Sequence, residues 1–164
     1  MSKLFNAPID SCLRAIAELA THPSIRFVAL FCLCSVYVVT GIEKLIDIPK
    51  AINEVKSFGV PMPAAATITT IVVELGGSAL VISGWRRWLG ALLLALFTFI
   101  VNFVANRFWH DAALHRDLVE DAFLEHVGLV AAFLLVAWYD AKLLSMRAVP
   151  SASGIAVTIH STSP

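Results

Sequence analysis

From position 64 to 83 the chain is apolar, with one carboxylate, Glu74, near its centre. At a helical rise of ~1.5 Å per residue such a run is ~30 Å long, the thickness of a bilayer's hydrocarbon core. Phe58-Gly59-Val60-Pro61-Met62-Pro63 stops it at one end and Gly84-Trp85-Arg86-Arg87 at the other. Glu74 lies ~15 Å along this helix, close to the bilayer midplane, where a charge costs ~2.5–3.5 kcal/mol on insertion scales. The side chain is therefore expected to face other helices, and either to meet a partner or to hold a proton.

Three further runs of similar length follow the same logic, at about 26–45, 88–108 and 123–143. Hydrophobic residues make up 59% and charged residues 15%, where soluble domains carry about a quarter charged. The fold class expected is all-α: a polytopic membrane protein, an antiparallel four-transmembrane-helix bundle occupying residues 25–145. A formal net charge of zero gives no reason to expect nucleic acid as a partner. No Walker, Rossmann or zinc-finger pattern is present, and no metal site is expected.

Outside the bundle the reading is coarser. Pro8, Asp10, Arg14 and Glu18 break up residues 1–24, so this segment does not read as a signal peptide. Ile9, Leu13, Ile16 and Ala20 recur at helical spacing, with Asp10 or Ser11 as a cap. An amphipathic surface helix and a loose leader both fit. Between spans one and two, Pro49 suits a helix start and Gly59-x-Pro61 a helix stop, which predicts a short interfacial helix. Residues 111–122 are polar and acidic, and Ser, Thr, Ala and Pro enrichment predicts a disordered tail over 146–164.

Lys and Arg divide seven against five if the N-terminus is cytoplasmic, which agrees with the positive-inside rule. Both termini are then cytoplasmic. Lys44, Asn106, His110, Glu125 and His126 fall near the outer mouth, with Asn102 deeper and Glu74 deepest. This predicts a polar, ligand-binding cleft open to the periplasmic side, with Glu74 the candidate for proton transfer. Asn102, Asn106 and His110 step by four along one helix face, and Glu125 and His126 sit in the first turn of span four. Plainer readings stand beside this one. Lys44 can snorkel to headgroups, Glu125 can complement a helix dipole, and Asn102 can tie helices together. His126 can titrate or merely pack. Gly41 offers room for close helix approach, and Gly77, one turn beyond Glu74, is expected to make room beside the carboxylate. Phe97, Phe99, Phe103, Phe108 and Trp109 suit packing and an interfacial aromatic belt better than a ligand site. Cys12, Cys32 and Cys34 form no Cys-x-x-Cys pair, and Cys32 and Cys34 point to nearly opposite sides of a helix; they read as small apolar filler.

The order Gly41-x-x-Lys44-Leu45, Phe58-Gly59-Val60-Pro61-Met62-Pro63, Glu74-Leu75-Gly76-Gly77 and Gly84, then Phe108-Trp109 and Phe123, resembles the DoxX family of small bacterial membrane proteins. The resemblance runs from about 27 to 138. It implies a four-helix bundle in the inner membrane, and an association with sulfur, thiol and quinone redox chemistry, since relatives include a membrane subunit of thiosulfate:quinone oxidoreductase. Members commonly carry His where Asn106 stands, and Phe-x-Lys-Asn where Phe123-Leu124-Glu125-His126 stands.

Three functions compete on this reading. One is an accessory in membrane quinone or thiol redox chemistry. A quinone would be its cofactor and a membrane or periplasmic redox protein its partner, because the chain shows no redox motif of its own. Another is a non-enzymatic assembly or scaffold subunit. The third is a small proton-coupled transporter, which the lack of repeats and broken helices disfavours. The bilayer is a partner in every case, and homo-oligomerisation is left open.

Overall fold

A computed structural model describes residues 2–110 and 113–148, with side chains described for 11–109 and 116–147. The described residues form helices α1 (Ser2–Ala20), α2 (Pro23–Ile46), α3 (Ile48–Ser57), α4 (Pro63–Ser83), α5 (Arg87–Ala105) and α6 (Ala113–Ala148), with one 3₁₀ turn at Phe108–His110. Four of them, α2, α4, α5 and most of α6, are long and apolar enough to cross a membrane. Charged residues interrupt the others. The bundle and the short helix between its first two spans are as the sequence predicts.

Local chemistry sets the turns. His22 precedes Pro23, and its ring nitrogen accepts a hydrogen bond from the Ser24 amide, 3.3 Å away. Asp47 ends α2 and also starts α3, where its carboxylate accepts from the Lys50 amide at 3.0 Å. The chain therefore changes direction at a single residue. Gly59 adopts φ 73°, the left-handed conformation that a residue without Cβ reaches cheaply. At the α4–α5 hairpin Gly84 (φ 81°) and Arg86 (φ 53°) are both left-handed, and Trp85 is held outward between them, 71% exposed.

Three boundaries differ from expectation. The first helix begins at Ser2, so neither Asp10 nor Ser11 caps it. The third span ends at Ala105, and Asn106 closes it with its amide on the Asn102 carbonyl at 3.0 Å. The fourth helix starts at Ala113, not near Phe123. Glu125 and His126 therefore lie three turns inside it and not in its first turn. The dipole reading of Glu125 falls with this, since that effect fades beyond one turn. Hydropathy marks where a helix enters lipid. Residues such as Asp117 and Glu120 form helix just as well outside it. At the other end α6 continues to Ala148, so the tail predicted from 146 begins no earlier than 149, outside the described residues.

Along the bundle α2 packs on α4, α4 on α5 and α5 on α6, with α3 laid against α4. Helices α2 and α6 meet more sparingly, through the Tyr37 and Phe133 rings, whose centroids are 5.5 Å apart and edge-to-face, and through Arg26. The dry core of Leu30, Cys34, Val81, Leu94, Phe133 and Ala137 draws on all four spans. It lies toward the ends where α2 and α5 begin and α4 and α6 finish. Many large apolar side chains point outward, among them Phe31, Val72, Leu96 and Leu135, while Glu74, Thr67, Thr98 and Asn102 are buried. Apolar residues outside and polar residues within are what a lipid solvent demands.

Candidate functional site

Close helix approach builds the site. Gly41 on α2 lies against α4 so tightly that a Cβ there would stand 2.8 Å from a Leu75 methyl and 3.4 Å from the Glu74 Cβ. That contact brings Lys44, one turn further along α2, over the middle of α4. Its Nζ donates to both carboxylate oxygens of Glu74, at 3.0 and 3.1 Å. The Glu74 side chain is 6% exposed and that of Lys44 19%. Glu74 thus has the sheltered partner that its depth requires, and Lys44 turns inward instead of snorkelling outward. Gly77 makes room for α5 and not for Glu74: a Cβ there would meet Leu94 at 2.8 Å.

The ion pair stands in the wall between two cavities, both of which also touch Phe97 and Val101. One, of about 450 Å³, lies between α2, α4, α5 and α6 and is lined by Tyr37, Thr40, Thr98, Glu125 and His126 as well as the pair. The second, of about 430 Å³, runs under α3 and is mostly apolar, with Glu54, Phe58, Thr69 and Thr70 in its wall. In the first, the Tyr37 hydroxyl and Thr98 Oγ1 are 2.6 Å apart, and Thr98 Oγ1 also reaches the Leu94 carbonyl at 2.7 Å. If Thr98 donates to that carbonyl, Tyr37 donates to Thr98. On the far wall, His126 Nδ1 lies 2.7 Å from the Ala122 carbonyl. That contact requires a proton on Nδ1 and leaves Nε2 with the lone pair in the neutral ring.

The predicted residues divide into two groups. Lys44, Glu74, Glu125 and His126 come together around the first cavity. Asn102 and Asn106 do other work. Asn102, 2% exposed, donates to the Phe123 carbonyl of α6 at 3.0 Å. Asn106 donates to Asn102 Oδ1 at 2.9 Å and lies 3.5 Å from His126 Nδ1. They tie α5 to α6 behind the cavity. Because α5 ends at Ala105, the single face expected for Asn102, Asn106 and His110 stops at Asn106; the His110 side chain lies outside the described residues. Phe99, Phe103, Phe108 and Trp109 cluster with Phe123 at ring separations of 5.1–6.4 Å, while Phe97 stands apart and faces both cavities.

Sequence reasoning missed the Tyr37–Thr98 contact, although Tyr37 shares the helical face of Lys44. It also missed Asp140, which stands 3.6 Å from Arg26 and 3.8 Å from Arg87 and accepts from the Trp88 amide at 3.3 Å. Asp140 was legible as a second acidic residue at the end of a span. Cys34 is core filler as expected, but Cys32 is exposed on the cavity rim.

Four apolar crossings around a sheltered ion pair define a multi-pass helical membrane protein. The DoxX pattern matches residues 26–107, and the chain belongs to the DoxX family. It is similar to the inner membrane protein YphA of Escherichia coli (strain K12), 24% identical, with 72% of this chain and 84% of that protein covered. Family and relative, with the four apolar helices, make it a multi-pass inner-membrane protein. The matched stretch spans α2 to α5 and stops short of α6, which carries Glu125 and His126. No solved structure matches the chain.

Proposed function

We propose that the protein is an accessory in membrane quinone and thiol redox chemistry, the cavity between α2, α4, α5 and α6 holding the head of a quinone-like molecule. The observation that carries this reading is the Lys44–Glu74 pair, with Glu74 buried at mid-span of α4, in the wall of a cavity of about 450 Å³. That volume falls within the ~300–1,000 Å³ of small-molecule sites. The cavity mixes apolar walls with a few polar groups that can fix orientation. Its rim includes Cys32, Val36 and Glu125, all exposed, on the side where α2 and α6 pack sparingly. A lipid-soluble molecule can enter there directly from the bilayer.

Quinone reduction consumes protons as well as electrons, and lipid supplies none. The Lys44–Glu74 pair holds a transferable proton inside the bundle, and His126 and Glu125 offer a relay toward the helix ends. The two electrons that accompany those protons come from a thiol- or sulfur-oxidising partner protein, and the bound quinone leaves as the quinol. The seven-to-five division of Lys and Arg supports placing both termini on the cytoplasmic side. The cavity is then on the periplasmic half.

The test is purification from native membranes with quantification of co-purifying quinone. Wild type should retain quinone, and Glu74→Gln and Lys44→Met should each lower it at least about tenfold, the loss expected of a charge-assisted contact. A quinone-free wild type, with membrane redox activity untouched by Glu74→Gln, overturns the proposal. A second reading rests on the same pair: both Glu74 oxygens are taken up by Lys44, as suits a tie between α2 and α4 in a scaffold subunit. A stable protein partner in mild detergent, with no quinone, favours that reading.

A further inference from the structure

The opposite end of the bundle carries a second polar site. A groove of about 370 Å³ lies where α2 begins, α6 ends and the α4–α5 hairpin crosses between them. Four arginines line it, Arg26, Arg86, Arg87 and Arg147, against a single carboxylate, Asp140. Asp140 stands 3.6 and 3.8 Å from two of them, beyond close charge-assisted hydrogen bonding, and one of its oxygens is occupied by the Trp88 amide. The cluster is therefore far from neutralised.

The arginines differ in their local roles. Arg87 is anchored, its Nε donating to the Val81 carbonyl at 2.8 Å with the side chain 15% exposed. Arg26 stacks over the Tyr139 ring at 5.7 Å and is 43% exposed. Arg86 and Arg147 are exposed. Arg86 is also held in the left-handed conformation, φ 53°, which costs about 1 kcal/mol or more and needs a reason. The same hairpin presents Trp85, 71% exposed, and Trp88 lines the groove. Exposed tryptophan at a span end sits at headgroup depth.

We infer that this groove binds the phosphate of an anionic phospholipid of the cytoplasmic leaflet. Guanidinium groups match phosphate oxygens in pairs. A basic pocket between helix ends at the headgroup level is the geometry that holds such lipids. The groove is flanked by outward apolar residues, Phe27 and Leu144 among them, against which acyl chains can lie. A soluble anion has no use for those residues. The groove and the Lys44–Glu74 cavity lie at opposite ends of the bundle, so this inference does not depend on the proposed redox role.

The experiment is native mass spectrometry of the full-length protein in detergent, titrated with phosphatidylglycerol, cardiolipin, phosphatidylcholine or glycerol 3-phosphate. Phosphatidylglycerol and cardiolipin should give adducts that survive where phosphatidylcholine is lost. Arg26→Gln/Arg147→Gln should weaken them by roughly fivefold per arginine removed. Both positions are exposed enough to spare the fold. Lys142→Gln, on the same end but outside the groove, should leave the adducts unchanged. An equal loss in Lys142→Gln would mean general attraction to a basic surface and would overturn the site. Displacement of the lipid by millimolar glycerol 3-phosphate would assign the groove to a soluble anion and overturn the lipid claim.

Discussion

Lys44 and Glu74 illustrate what one buried pair demands of its neighbours. Removing one partner leaves a charge in a sheltered place, which in buried pairs costs ~3–5 kcal/mol. Lys44→Met and Glu74→Gln should each destabilise the detergent-solubilised protein by about that amount. The double variant should lose clearly less than the two single losses together, because no lone charge remains. Thermal or denaturant unfolding of all four proteins gives the coupling, and strict additivity would show that the pair does not act as a unit. Asn102 works on a smaller scale. Its bond to the Phe123 carbonyl ties two helices, and Asn102→Ala should cost ~1 kcal/mol in the same assay, as interhelical hydrogen bonds in membranes do. The lone glutamate, its depth and its need for a partner were all legible in sequence. Which partner it takes was not, because Lys44 is thirty positions away and only the α2–α4 contact joins them.

Helices meet where side chains allow, and Gly90 on α5 is the tightest such place. A Cβ there would stand 2.6 Å from the Leu80 Cβ, 2.8 Å from the Gly77 carbonyl oxygen and 3.2 Å from the Val81 amide nitrogen. Two of those neighbours are backbone and cannot move aside without shifting α4. Gly90→Ala should therefore destabilise by ~1–3 kcal/mol, the usual cost of overpacking. Gly76 has open space where its Cβ would be, so Gly76→Ala should stay within about 1 kcal/mol of wild type. Unfolding midpoints of the two variants separate close approach from helix propensity. Composition could nominate these glycines but could not rank them. Rotation about each helix axis decides which glycine meets a neighbour, and apolar residues all round a span leave that rotation almost unmarked. The same difficulty hid the start of α6, whose first turns are polar helix outside the lipid.

Across the whole molecule, the dry core and the four groove arginines sit toward one end, and the ion pair with its two cavities toward the other. Orientation in the membrane then decides which compartment each serves. With both termini cytoplasmic, a membrane-impermeant maleimide should label Cys12, exposed on α1, in inside-out vesicles and not in right-side-out ones. Cys32→Ser provides the background, since Cys32 is also exposed while Cys34 is buried. Labelling of Cys12 only in right-side-out vesicles would reverse the topology and move the cavity to the cytoplasmic half.

The amino-acid sequence alone settled the solvent, the number of crossings and the need to shelter a carboxylate, because each follows from how many apolar residues stand in a row and where charge interrupts them. Tertiary structure alone decided that Lys44 answers Glu74, that Asn102 bonds across to α6 with Asn106 bonded to it, and that arginines from three separate stretches of the chain, Arg26, Arg86 with Arg87, and Arg147, share one groove. Those outcomes depend on helix rotation, helix ends and contacts between residues far apart in the chain. A one-dimensional pattern of hydropathy does not carry that information.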